Sequence, residues 1–273
     1  MTATDLLVRG PAAQADDGLL VEVSPESAGW RYVGFEVVRL PGGRRVERRT
    51  EGRELCVVLL SGRADVTFGG RQWPDIGRRG SVFDGLPYSV YAPPGGLLTV
   101  AATSEVAEVA LCWAPARRGV DPVLISPDDV RVSTRGAGVT EREIHDVLME
   151  SRPAESLLIT EVITPAGHWS SFPPHKHDTD DLPREAYLEE TYYHRTRRPD
   201  GFAVQLVYTD DRSLDAALQV RDGDVVLVPR GYHPVSAAPG YDLYYLNVMA
   251  GPTRRWRVTV DPDHLWQQPP ATL

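Results

Sequence analysis

Cysteine is nearly absent from this chain of 273 residues: with only Cys56 and Cys112, no disulfide framework can hold it together. Each lies in an apolar run, Leu55-Cys56-Val57-Val58 and Ala110-Leu111-Cys112-Trp113, where a buried free thiol is expected. That usage favours a reducing cytoplasm. Long apolar stretches are missing too, so no segment is long enough to cross a bilayer. The opening Met1-Thr2-Ala3-Thr4-Asp5 lacks the basic stretch and apolar core of an export signal. The expectation is a protein neither exported nor bound to a membrane. Positive charge is in deficit, 29 basic against 38 acidic residues for a net charge of −9. That balance disfavours nucleic acid as a partner, since neutralising phosphates needs a basic surface, and no nucleic acid is expected. A small anion is not, because one pocket can concentrate positive charge inside an acidic protein. Finally, no histidine precedes His145, so any imidazole-based chemistry belongs to the second half.

What is present reads as strands. Nearly every apolar segment is short, rich in β-branched and aromatic residues, and bounded by Gly, Pro or Asp, while helical periodicity is scarce. The clearest strands are Arg31 to Leu40, Leu55 to Leu60, Ala64 to Phe68, Leu97 to Thr103, Val106 to Trp113, Leu157 to Thr164, Leu188 to His194, Phe202 to Tyr208, Asp224 to Val228 and Tyr241 to Val248. Turns such as Pro41-Gly42-Gly43, Gly69-Gly70, Asp222-Gly223 and Pro239-Gly240 separate them. The fold class is all-β, of sandwich or barrel type. A degenerate repeat is visible. Arg79-Gly80-Ser81-Val82-Phe83, with Pro87 and a Tyr-Ser-Val-Tyr strand after it, echoes Asp222-Gly223-Asp224-Val225-Val226, with Pro229 and Tyr232-His233. Two similar barrels are expected, 1–117 and 118–273, divided near Arg117 to Asp121.

The chemistry concentrates in Pro173-Pro174-His175-Lys176-His177-Asp178. Two imidazoles two residues apart point to the same side of an extended segment and make a chelating pair, and the prolines hold the approach extended. Alone, such a pair is weak evidence. It gains weight from Glu190, at the start of an alternating strand, and from Gly223-Asp224-Val225-Val226-Leu227-Val228-Pro229-Arg230-Gly231-Tyr232-His233.

This order of residues resembles the two metal motifs of the cupin superfamily, with Gly167, His175, His177, Glu190 and Gly201 in the first and Gly223, Pro229, Gly231 and His233 in the second. The resemblance implies a bicupin: two tandem β-sandwich (jelly-roll) barrels, of which only the C-terminal one binds metal, through His175, His177, Glu190 and His233. The spacing departs from the pattern, because twelve residues separate His177 from Glu190 and a single one separates Gly231 from His233. An inserted loop from Asp178 to Tyr187 is expected. The insertion, Trp169 to Asp178, Leu188 to His194, Gly223 to Val235 and Tyr244 to Pro252 together resemble the 5-deoxy-glucuronate isomerase (IolB) family of inositol catabolism. That resemblance implies an aldose-ketose isomerase acting on a uronate-type sugar acid, with a ligand-free first barrel.

Three neutral imidazoles and a carboxylate suit one divalent ion, zinc, manganese, iron or nickel, which the sequence does not choose among. Strand alternation puts Glu190 with Leu188, Tyr192 and His194 on one face and Glu189, Thr191 and Tyr193 on the other. Tyr192 therefore faces inward, and Tyr192, Gln205 and Tyr245, with Asn247, are the polar candidates for catalysis. His194 would lie about 13 Å along the strand. Lys176, Arg184 and Arg230 are the cations nearest the ligands in sequence and so the candidates for holding an anionic sugar. Against these stand plainer readings. Glu189 and Glu190 as solvated charges would leave Asp180 or Asp181 to complete the site; His145, His168 and His264 read as structural or surface residues. Rival functions are the uronate ketol-isomerase of pectin breakdown, a metal-cupin dioxygenase and a sugar-binding sensor. Oligomeric state is left open, a homo-oligomer included.

Overall fold

The computed structural model describes residues 3–10 and 18–267. Its strands assemble into two equivalent sandwiches. In the first, a six-stranded sheet runs in the order Val123–Ile125, Ser89–Ala92, Arg53–Ser61, Val106–Pro115, Gly34–Pro41, Leu19–Val23, and faces a four-stranded sheet of Arg45–Arg49, Leu97–Ala102, Ala64–Phe68 and Arg71–Ile76. In the second, a seven-stranded sheet runs Leu7–Val8, Val225–Val228, Glu189–Thr196, Leu243–Ala250, Leu158–Thr164, Arg142–Leu148, Arg131–Arg135. It faces Trp169–Ser170, Val235–Ala237, Phe202–Tyr208 and Asp215–Arg221. Among the described residues no helix is long and apolar enough to cross a membrane.

The two large sheets pack back to back, which explains their unbroken apolar runs. Along Arg53–Ser61, Leu55, Val57 and Leu59 enter the first sandwich, while Cys56, Val58 and Leu60 join Phe35, Tyr91 and Cys112 against Tyr193, Leu227, Tyr244, Leu246 and Val248 of the second. A strand buried on both faces needs apolar residues at every position, not at alternate ones. The thiols of Cys56 and Cys112 are free and buried in this shared layer, and burial raises the pKa of both.

Edge strands are exchanged between the sandwiches. Leu7–Val8, ahead of the first repeat, pairs with Val225 and Val226 of the second, and Val123–Ile125, ahead of the second repeat, pairs with Ser89 to Tyr91 of the first. Carboxylates cross in the same reciprocal way. Glu189 accepts hydrogen bonds from the backbone N–H groups of Arg31, Tyr32 and Val33 at 2.7, 2.7 and 3.1 Å. Glu54, on the equivalent strand, accepts from Glu155, Ser156 and Leu157 at 2.9, 2.7 and 2.6 Å. Glu189 is thus a buried tether and not a solvated charge. The echo read between Ser81-Val82-Phe83 and Asp224-Val225-Val226 is displaced: residues 81–83 form turns, and Ser89–Ala92 occupies the sheet position of Val225–Val228.

Candidate functional site

The strand Glu189–Thr196 runs through the middle of the second large sheet, and its alternation sends Tyr192 into the sandwich core and Tyr193 into the layer between sandwiches. Glu190 points the same way as Tyr192 and is buried. The inserted loop does not separate it from His177. The backbone N–H of Leu188 donates to His177 O at 2.9 Å and His177 Nδ1 donates to Leu188 O at 3.0 Å, so the chain leaves at His177 and returns beside it. Glu185, inside the loop, accepts from the N–H groups of Asp178 and Thr179 and closes it. His177 Nε2 then meets Glu190 Oε2 at 3.0 Å.

His233 arrives from the turn after Val225–Val228. Gly231 there has φ +88°, and a Cβ would lie 2.3 Å from Tyr208 O, so only glycine fits. Its N–H donates to Asp178 at 2.9 Å, and its carbonyl accepts from His233 Nδ1 at 2.8 Å. His233 Nε2 is left buried without a hydrogen-bond partner, 3.3 Å from Glu190 Oε2. One donor atom from each of His177, Glu190 and His233 lies within 4.8 Å of the others. His175 flanks this group, its ring 5.0 Å from that of His233 and its Nδ1 directed at Pro173 O, 3.4 Å away. All three imidazoles therefore direct Nδ1 at a backbone carbonyl, and those of His177 and His233 turn Nε2 toward Glu190, an orientation that prepares histidine for a metal. Burial first, and then the neighbouring imidazoles, hold His175 and His233 down at about 3, so both are neutral near pH 7 and keep a lone pair. For His177 burial opposes protonation too, but the bond to Glu190 outweighs it and the shift is upward.

A cavity of about 170 Å³ opens beside His175 and Glu190. Tyr192, Tyr245 and Asn247 line it, as their strand positions imply. Tyr192 shares a hydrogen bond with Ser171 Oγ at 2.8 Å, and Tyr245 with Ser170 Oγ at 2.5 Å. Burial raises the pKa of both phenols, so both keep their protons. Gln205 is elsewhere. It is fully buried with Oε1 2.9 Å from His194 Nε2 and does not line the cavity.

The cations nearest in sequence are not those nearest in space. Lys176 is held by Asp178 at 3.1 Å and Asp210 at 2.9 Å and lies over the Tyr232 ring; adjacent residues on an extended chain point to opposite sides, so it faces away from the cavity. Arg184 sits on the exposed tip of the inserted loop, paired with Asp181, and Arg230 is exposed. The cavity's arginines are Arg135 and Arg142, and it also holds Asp146, all from the strands Arg131–Arg135 and Arg142–Leu148. Alternation of Arg142, Ile144 and Asp146 was the available signal. It is interrupted by a register shift between Asp146 and Leu148, which puts Val147 and Leu148 side by side and breaks the two-residue period. His145, on the same strand, is buried in a charged cluster with Glu161 and Glu143, a structural role.

The sequence profile of the KduI/IolB family matches residues 6–267. The 5-deoxy-glucuronate isomerase of Geobacillus kaustophilus (strain HTA426) is 54% identical over 252 residues, covering 92% of this chain and 91% of that protein. The crystal structure of an IolB-like protein from Salmonella typhimurium LT2 superposes with a TM-score of 0.93 at 46% identity, covering 96% of this chain and 98% of that one. An oxalate decarboxylase from Lactobacillus farciminis, 14% identical, superposes with a TM-score of 0.69 over 97% of this chain and 90% of its own, a likeness of fold alone. With the profile spanning both sandwiches and the inserted loop, the chain belongs to the KduI/IolB family.

Proposed function

We propose that this protein is a metal-dependent 5-deoxy-glucuronate isomerase, converting that aldose to the ketose 5-dehydro-2-deoxy-gluconate. The observation that carries the reading is one cavity whose wall brings His175 and Glu190, the latter shared with the His177–Glu190–His233 group, together with phenolic donors and arginines, in a chain 54% identical to a protein of that name. The donor set suits a divalent ion, and the orphaned His233 Nε2 is a buried lone pair that an ion would satisfy. His175, His177, Glu190 and His233 would hold it. Bound there, the ion would supply a fixed positive charge for the sugar's carbonyl and adjacent hydroxyl oxygens.

The remaining work falls to the chain's own side chains. A base takes the proton from the hydroxyl-bearing carbon next to the aldehyde, the electron pair forms the double bond of an enediolate, the hydroxyl proton passes to the former aldehyde oxygen, and the abstracted proton returns to the former aldehyde carbon as the new carbonyl forms. No atom is gained or lost. Of the two carboxylates on the wall, Glu190 belongs to the ligand group, so the proton acceptor in this reading is Asp146. Burial raises its pKa even though Arg135 and Arg131 pull the other way, a shift in the direction a base needs. Tyr192 and Tyr245, protonated and anchored to Ser171 and Ser170, act as donors to the oxygens on which charge develops.

The test is anaerobic incubation of the purified protein, its metal content quantified, with 5-deoxy-glucuronate and with the pectin-derived ketouronate in parallel, following the sugar protons by NMR. Conversion of the first is expected. Conversion of the second alone would change the substrate, and inertness toward both with stoichiometric metal would overturn the isomerase reading.

A further inference from the structure

We propose that Arg135 and Arg142 form a two-arginine clamp for the carboxylate of the acid substrate, beside the cavity's Trp256, which also contacts His175. The proposal deepens the isomerase reading, and rests on it for the identity of the acid. Its physical basis is independent of any relative. The two residues are direct partners across antiparallel strands. Like charges in that position repel each other and destabilise a sheet. Among the described residues no carboxylate lies within ion-pair distance of either arginine; Asp146, on the same wall, feels the charge of Arg135 but does not pair with it. Elsewhere the protein pairs its buried arginines with carboxylates, as Arg79 with Glu161 at 2.6 Å. Arg142 is buried, yet among the described residues its side chain donates only to the neutral carbonyl of Thr140, at 3.0 Å. Burial, with the charge of Arg135, lowers its pKa, as expected for a cation lacking a counter-ion.

Both side chains reach the cavity wall, and so does the link between them and the imidazoles. Arg135 lies 5.0 Å over the face of Trp256, and Trp256 meets His175 edge-on at 6.2 Å between ring centroids. A short acid stretched past this indole would place its carboxylate at the guanidiniums and its aldehyde end at the imidazole group. Two adjacent guanidiniums offer planar sets of N–H donors that fit the two oxygens of a carboxylate, and a bound anion removes the repulsion between them. The clamp therefore selects an acyclic aldose bearing a terminal carboxylate over the neutral sugar of the same length.

Two measurements on the metal-loaded protein test this. One is titration calorimetry with D-gluconate, and with neutral D-glucitol as control. The other is steady-state kinetics on 5-deoxy-glucuronate, for R142Q, R135Q and R142K. Gluconate is expected to bind and glucitol not to; R142Q and R135Q should weaken gluconate and raise KM on the order of ten- to a hundredfold each, with R142K recovering part of the loss and metal content unchanged. R135Q, at the exposed rim, and R142K keep the test decisive should R142Q fold poorly. Undiminished gluconate affinity in R135Q and R142K, or no gluconate binding by the wild type, overturns the clamp. Arginine-dependent gluconate binding without turnover of 5-deoxy-glucuronate would uphold the clamp and refute the substrate instead.

Discussion

The contact between the two sandwiches makes a quantitative prediction through Arg79. This residue, from the first half, is almost fully buried, and donates to both oxygens of Glu161 in the second half, at 3.0 and 2.6 Å, as well as to Leu59 O and Gly85 O. Tyr244 donates to the same carboxylate at 2.7 Å, and His145 lies 3.4 Å from it. Burial alone would raise the Glu161 pKa, but Arg79 and these donors hold it down at about 2 against an ordinary 4.5. A carboxyl shifted down by that much contributes on the order of 3 kcal/mol, present above about pH 4.5 and lost as the pH falls through 2. Replacing Arg79 with Leu strands the carboxylate in the shared layer and should cost about 3–5 kcal/mol at pH 7. Replacing both partners by leucine should cost much less than the two single changes together, since no unpaired charge remains. The assay is urea unfolding at pH 7 and at points down to pH 3, followed by circular dichroism and by tryptophan fluorescence. Because the layer is common to both sandwiches, the two signals should move together. An R79L variant within about 1 kcal/mol of wild type at pH 7 would refute the assignment of this pair as the electrostatic link between the halves.

Three further outcomes are expected. His233→Ala and His175→Ala should each lose bound metal by elemental analysis while retaining the β-type circular dichroism, because neither imidazole belongs to an apolar core; full metal occupancy in both variants would remove the ligand assignment. Asp146→Asn should lower kcat on the order of 10²–10⁴-fold with metal content unchanged, whereas near-normal kcat would move the proton transfer to another group. Leu6, fully buried in the core of the second sandwich although it lies near the start of the chain, should cost about 2–5 kcal/mol when changed to Ala, measured by denaturant unfolding; a negligible cost would argue against the exchange of edge strands in solution.

Local pattern carried much of the fold. Ala64–Phe68 and Phe202–Tyr208 occupy the residues that alternation indicates, and Leu55 to Leu60 lies within Arg53–Ser61. Asp215–Arg221 alternates just as regularly but is built on alanines, Asp215-Ala216-Ala217-Leu218, whose apolar signal is weak. Arg45–Arg49 and Arg131–Arg135 escaped because their residues are almost all polar or charged; they are strands only because neighbouring strands supply their hydrogen bonds. The ligand candidates were readable because an extended His-x-His and the glycine that orients His233 are properties of a few adjacent residues. The cavity's cations were not, and Lys176, Arg184 and Arg230 stood in for them through mere proximity along the chain.

By itself, then, the sequence determined the all-β class, the restriction of imidazole chemistry to the second half and the residues able to chelate, since backbone alternation and side-chain chemistry act over a few residues. Tertiary structure alone decided three things. It exchanged Leu7–Val8 and Val123–Ile125 between the sandwiches, turned Glu189 and Glu161 into buried links, and brought Arg135, Arg142 and Asp146 to the wall shared with His175 and Glu190. Those outcomes depend on which strand edges and faces meet across more than a hundred residues in some pairs, such as Arg9 with Asp224, and the pairing is selected by the joint burial of two sheets, which no local stretch of the chain encodes.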